Sequence, residues 1–143
     1  MRNAAITALA LAGATTVGCS ANADKSAAEA AVAEFRQMAD AGRYAEIWQG
    51  GANELKASTS QDELVRVLSG LHVHYGNFRS ANQTNWHWNS SNGAVSVTLE
   101  YDSQFENARG NERFIYRIEN GAARLAGYNR RAGAGNAQSD AAK

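Results

Sequence analysis

The chain has 143 residues, with 14 Lys and Arg against 14 Asp and Glu, 44% hydrophobic residues, one Cys and no Pro, which gives room for one domain. Average usage would supply about 7 prolines in this length, so a Pro-rich linker, a polyproline ligand segment and a collagen-like tract are excluded. Zero formal charge argues against a nucleic-acid binder held by a broad basic face, and a single Cys excludes an intrachain disulfide framework and a Cys-built zinc site.

Met1-Arg2-Asn3 is a short positive start, and Ala4 to Val17 follows without a charge. That run is too short to span a bilayer as a helix and has the small-residue character of a secretory hydrophobic region. Thr16-Val17-Gly18-Cys19 then resembles the lipobox of bacterial lipoproteins, with Thr16 standing where that class prefers Leu. The resemblance implies a signal peptide over 1–18, lipid attachment at Cys19 and more than one acyl chain, enough for stable membrane anchoring. Ser20 is not the Asp that marks inner-membrane retention in that class, which implies the outer membrane, facing the periplasm. The competing reading is Ala21-Asn22-Ala23, an A-x-A pattern suited to cleavage before Asp24 and a soluble periplasmic or secreted protein. Residues 19–25 are read as a tether.

Ser26 and Glu29 form an S-x-x-E capping box ahead of a helix to Asp40, whose apolar stripe is Ala28, Ala31, Val32, Phe35, Met38 and Ala39. Gly42 is its stop. A shorter helix, Arg43 to Gln49, carries Tyr44, Ile47 and Trp48 at i, i+3 and i+4. Residues 52–59 read as a polar connection. Ser60 and Glu63 repeat the capping box, and Leu64, Val67, Leu68, Leu71 and Tyr75 extend one helical stripe to Gly76. Acids dominate this half, with Asp24, Glu29, Glu34, Asp40, Glu46, Glu54, Asp62 and Glu63 against Lys25, Arg36, Arg43 and Lys56.

After Gly76 the period becomes two. Phe78 to Asn89 is a polar strand ending in Trp86-His87-Trp88, and Asn92-Gly93 is a hairpin turn signal. Val95, Val97, Leu99, Tyr101 and Phe105 alternate with polar residues, so Glu100 and Asp102 face away from the buried side. A loop over 107–110 precedes a strand carrying Phe114, Tyr116 and Ile118. Asn120-Gly121 is a second turn, and Ala122 to Arg131 is the last strand, with Gly127 marking a bulge or bend. Residues 132–143 lack periodicity and read as a disordered tail. The result is an α+β domain over 26–131, with N-terminal helices packed on a strongly curved antiparallel sheet of about four strands.

Gly42 to Trp48 in a G-x-Y-x-x-x-W run, Gly76 followed by Phe78-Arg79, the strand Val95 to Phe105 and Leu125-Ala126-Gly127-Tyr128 resemble small exported bacterial proteins of an uncharacterised domain in the nuclear-transport-factor-2-like (cystatin-like cone) superfamily. Ala123 and Asn92-Gly93 depart from that pattern. The resemblance covers about 25–131 and implies a sheet wrapped around the first helix, with a pocket at the wide end, but no reaction.

Pocket or binding candidates are the aromatics Tyr44, Trp48, Tyr75, Trp86, Trp88, Tyr101 and Tyr116. No acid and base are forced together by spacing, so no catalytic residue is assigned. His72, His74 and His87 would need a strand to align an H-x-H pair; on a helix they do not, and neither metal nor cofactor is assigned. The sequence therefore favours a lipid-anchored envelope protein whose noncatalytic cone binds a small apolar ligand or an envelope protein. The alternative is a small pocket enzyme of isomerase, dehydratase or hydrolase type. The membrane is a partner through the N-terminal lipid, a homodimer through the sheet is a further option, and nucleic acid is not expected.

Overall fold

Four helices precede a four-stranded antiparallel meander in the computed structural model, which describes residues 17–133. The helices are α1 (Val17–Asp40), α2 (Tyr44–Gln49), α3 (Asn53–Ser58) and α4 (Gln61–Tyr75); the strands are β1 (Phe78–Ser91), β2 (Ala94–Phe105), β3 (Arg109–Glu119) and β4 (Ala122–Ala132). Strand order follows sequence order, the sheet is curved, and the fold is α+β as the sequence pattern predicts. The expected signal segment and C-terminal tail lie largely outside the described residues, as does the Cys19 side chain.

Helix α1 buries Ala28, Val32 and Phe35, the expected stripe, against Val97 and Leu99 of β2 and Phe114 of β3. Its end is a Schellman motif: the Gly42 amide donates to Ala39 O at 3.1 Å and the Arg43 amide to Met38 O at 2.8 Å, with Gly42 at φ +73°. Its start differs from expectation. The described residues are already helical from Val17, so Ser26 lies inside the helix and is no cap, and residues 19–25 are helical rather than a tether. Nothing after Gly18 breaks a helix in the Ala-rich run 21–28. The sheet also holds this part of α1: Trp88 Nε1 donates to Asp24 Oδ2 at 2.9 Å, and Lys25 Nζ lies 5.5 Å from the Trp86 ring centroid.

Two further corrections concern the helical half. Residues 52–59 contain α3, too short to show a period, with Leu55 buried beneath it and the Ala52 amide donating to Leu125 O of β4 at 2.8 Å. In α4 the Ser60 hydroxyl accepts from the Glu63 amide at 3.2 Å, and Leu64, Leu68 and Tyr75 are buried. Val67, expected in the stripe, is 51% exposed, because α4 packs along a narrower line than its hydrophobic residues cover. The two capping sequences therefore predict different outcomes. Ser60→Ala should cost about 1 kcal/mol in urea unfolding, whereas Ser26→Ala, exposed in mid-helix, should be neutral or slightly stabilising.

Both hairpins turn where Asn-Gly predicts, with Asn92 at φ +51° and Gly93 at +76°, and Asn120 at +50° and Gly121 at +78°. Strand β3 begins at Arg109, taking in part of the expected loop. The register of β3 and β4 shifts between Ile115 and Tyr116, which places a bulge at Ala126 beside Gly127. Two further irregularities interrupt the β1–β2 register, between Phe78 and Ser80 and between Gln83 and Asn85.

Candidate functional site

Alternation along β3 points Gly110, Glu112, Phe114 and Tyr116 to the helix side, opposite Ser103, Tyr101, Leu99 and Val97 of β2. On the other flank Tyr128 and Arg130 of β4 pair with Phe114 and Glu112. Helix α1 adds Arg36 from above. A carboxylate is thereby placed in the aromatic interior: Glu112 is 1% exposed.

Both of its oxygens are occupied. Oε1 accepts from the Tyr128 hydroxyl at 2.8 Å and Arg130 Nη2 at 3.2 Å. Oε2 accepts from Arg36 Nη2 at 3.0 Å and the Ser103 hydroxyl at 2.5 Å. Arg130 Nε also donates to the Tyr128 hydroxyl at 2.7 Å. The guanidiniums lie on rings, Arg36 at 4.1 Å from Phe78 and 4.7 Å from Tyr101, Arg130 at 4.0 Å from Phe105 and 4.9 Å from Tyr75. Aromatic faces of this kind stabilise the one positive charge that Glu112 leaves unbalanced. A carboxylate has about four lone-pair sites, and four donors fill them here, so Glu112 has none left for a substrate proton. The centre ties α1, β2, β3 and β4 together through one carboxylate.

Beside it, α1, α2 and the β3–β4 hairpin enclose a groove of about 250 Å³, lined by Phe35, Met38, Ile47, Tyr116 and Leu125, with Glu34, Arg43 and Glu46 at the rim. Arg43 and Glu46 pair with each other. The Tyr116 hydroxyl is buried without a hydrogen-bond partner, and burial pushes it far above the usual tyrosine range. On the opposite face of the sheet an open concavity of about 600 Å³ lies over Ile115 and Gly127, between Glu100, Arg113, Asn129 and Arg131. Glu100 and Asp102 face outward, as expected, Glu100 lying 3.6 Å from Arg113 and Asp102 accepting from Asn111.

The expected aromatics do not form one pocket. Tyr75, Tyr101 and Tyr116 lie in the interior, and Tyr116 alone of the seven lines the groove. Trp48 Nε1 donates to Thr59 O at 2.9 Å, tying α2 to the start of α4. Tyr44 packs against the core from α2. Trp86 and Trp88 share the helix-facing side of β1, opposite Leu99 and Val97, where Trp86 remains 39% exposed. His72 and His74 fall on α4, and among the described residues no group of His, Cys, Asp or Glu could hold a metal ion. The residues that sequence reasoning missed are Arg36, Ser103, Glu112, Tyr128 and Arg130. The available signal was parity: Glu112 stands two before Phe114 and Arg130 two after Tyr128.

The buried hydroxyls give the fold an alkaline limit. Burial raises Tyr116 and Tyr128 above the ordinary 10.0, with the Glu112 charge adding to the effect at Tyr128. In the unfolded chain both ionise near pH 10, while in the native state they keep their protons, so stability is complete below that pH and falls as pH rises through it. Each contributes a slope of up to about 1.4 kcal/mol per pH unit. Urea unfolding between pH 9 and 11 should show this fall, with a smaller slope in Tyr116→Phe.

A family model described as a protein of unknown function, DUF4019, matches residues 31–128. No curated protein matches the chain.

Proposed function

Starting from the fact that the chain belongs to the DUF4019 family, we propose that it is a lipid-anchored cell-envelope protein whose cone domain, of nuclear-transport-factor-2-like type, binds a small apolar ligand without catalysing a reaction. The observation that carries this reading is the closed state of Glu112. A proton-transfer site on a cone needs a titratable group with a free lone pair facing a cavity, and Glu112, the one buried carboxylate among the described residues, has its oxygens shared among four donors. The pocket-enzyme alternative would have to draw its acid or base from the groove rim, where Arg43 and Glu46 are paired with each other and Glu34 is an exposed carboxylate.

Binding is supported by the groove itself. Phe35, Met38, Ile47 and Leu125 give it an apolar floor beside the polar rim of Glu34, Arg43 and Glu46, and Tyr116 adds to the lining while its unpartnered hydroxyl stays sealed from solvent. Cyclohexanone and methylcyclohexane are suitable probes, read by chemical-shift changes at Met38, Ile47 and Leu125. Both probes should perturb these residues, and Tyr116→Phe should leave their affinities unchanged, because its hydroxyl is sealed from the groove. Absence of shifts at these residues with either probe would remove the groove from the proposal.

A further inference from the structure

The anchor and the domain are joined by a continuous helix, and the sheet fixes which way that helix points. Two hydrogen bonds set its direction along β1. Asp24 Oδ2 accepts from Trp88 Nε1 at 2.9 Å, and Asp40 Oδ1 accepts from the Phe78 amide at 3.1 Å. Because Asp24 comes early in α1 and Trp88 late in β1, the two elements run antiparallel. The start of α1 therefore emerges at the end of the molecule that carries both Asn-Gly hairpin tips.

From Asp24 back to Cys19 the helix rises about 7.5 Å. From Trp88 forward to Ser91 the strand advances about 10 Å. The lipid-attachment position and the β1–β2 tip thus end at closely similar heights, with no flexible segment between Cys19 and the sheet. The chemistry of that end suits a headgroup surface: Asn89 to Ala94 are uncharged and exposed, and near the second tip Glu119 is paired with Arg124 at 3.0 Å. Gly76, Glu106 and Asn107 lie at the opposite end, roughly 35 Å away along β2.

We propose that the acylated protein stands end-on against phospholipid headgroups, with the Asn92-Gly93 tip at the bilayer surface and the Gly76–Asn107 end held away from it. The proposal rests on the lipid-anchor reading of Cys19, and its test separates the two. Full-length mature protein purified from membranes, carrying Ser91→Cys or Asn107→Cys with a fluorophore, is placed in vesicles of phosphatidylethanolamine and phosphatidylglycerol containing a headgroup-nitroxide lipid. The mass of the same sample reports whether Cys19 is acylated. Quenching should be several-fold stronger at position 91 than at 107, and a short Gly-Ser insertion between Asn22 and Ala23 should abolish the difference. Equal quenching in acylated protein, or a difference that survives the insertion, overturns the end-on arrangement while leaving the anchor intact. An unacylated Cys19 overturns the anchor reading and the arrangement with it.

Discussion

Glu112→Ala is expected to destabilise the domain by about 3–5 kcal/mol, the usual cost of breaking a buried ion pair from one side. The reason is what the substitution leaves behind. Arg36 and Arg130 would keep their charges among Phe78, Tyr101, Phe105 and Tyr75 with their shared carboxylate gone, and the hydroxyls of Ser103 and Tyr128 would each lose an acceptor. Glu112→Gln retains the volume and should recover only part of the loss, because an amide is a weaker acceptor and carries no charge. The combined variant Arg36→Met, Glu112→Leu, Arg130→Met removes the whole centre, and by the same reasoning it should be far less damaging than Glu112→Ala alone. Urea unfolding followed by tryptophan fluorescence measures all three. If Glu112→Ala unfolds at the wild-type midpoint, the centre does not organise the interior.

Cys19→Ala is expected to move the protein from the membrane pellet to the soluble fraction. A single acyl chain gives marginal, reversible binding, whereas two or more hold a protein stably, at about 0.8 kcal/mol per buried methylene. Under the acylation proposed for Cys19, loss of the attachment point removes every chain together, so partition should change by orders of magnitude. The domain should stay folded with an unaltered unfolding midpoint, since its core begins at Ala28 and its first clamp to the sheet is at Asp24. A variant that still sediments with membranes would mean that something other than Cys19 holds the protein there.

The elements with strong local grammar were legible in the sequence. The stripe of α1, the Gly42 stop, the Ser60 cap, both Asn-Gly turns and the alternation of β2 all appear where their patterns put them, because each depends on residues within a few positions of one another. Three features were not legible. The S-x-x-E pattern points to a helix start at Ser26 but looks the same inside a helix as at its end; the helix runs on from Val17 because no breaker interrupts it, with Trp88 and Trp86 holding Asp24 and Lys25 from the sheet. Helix α3 is too short for a period, and its place is set by the backbone bond from Ala52 to Leu125, far away in sequence. The Arg36–Glu112–Arg130 centre unites α1, β3 and β4, and a glutamate on the inward parity of a strand stands out only once both arginines are known to reach it.

The state of the mature N-terminus decides whether the protein is lipid-anchored. Intact mass of the protein purified from its native envelope should show a chain beginning at Cys19 and carrying the added mass of several acyl groups. An unmodified chain beginning at Asp24 would contradict the lipid anchor.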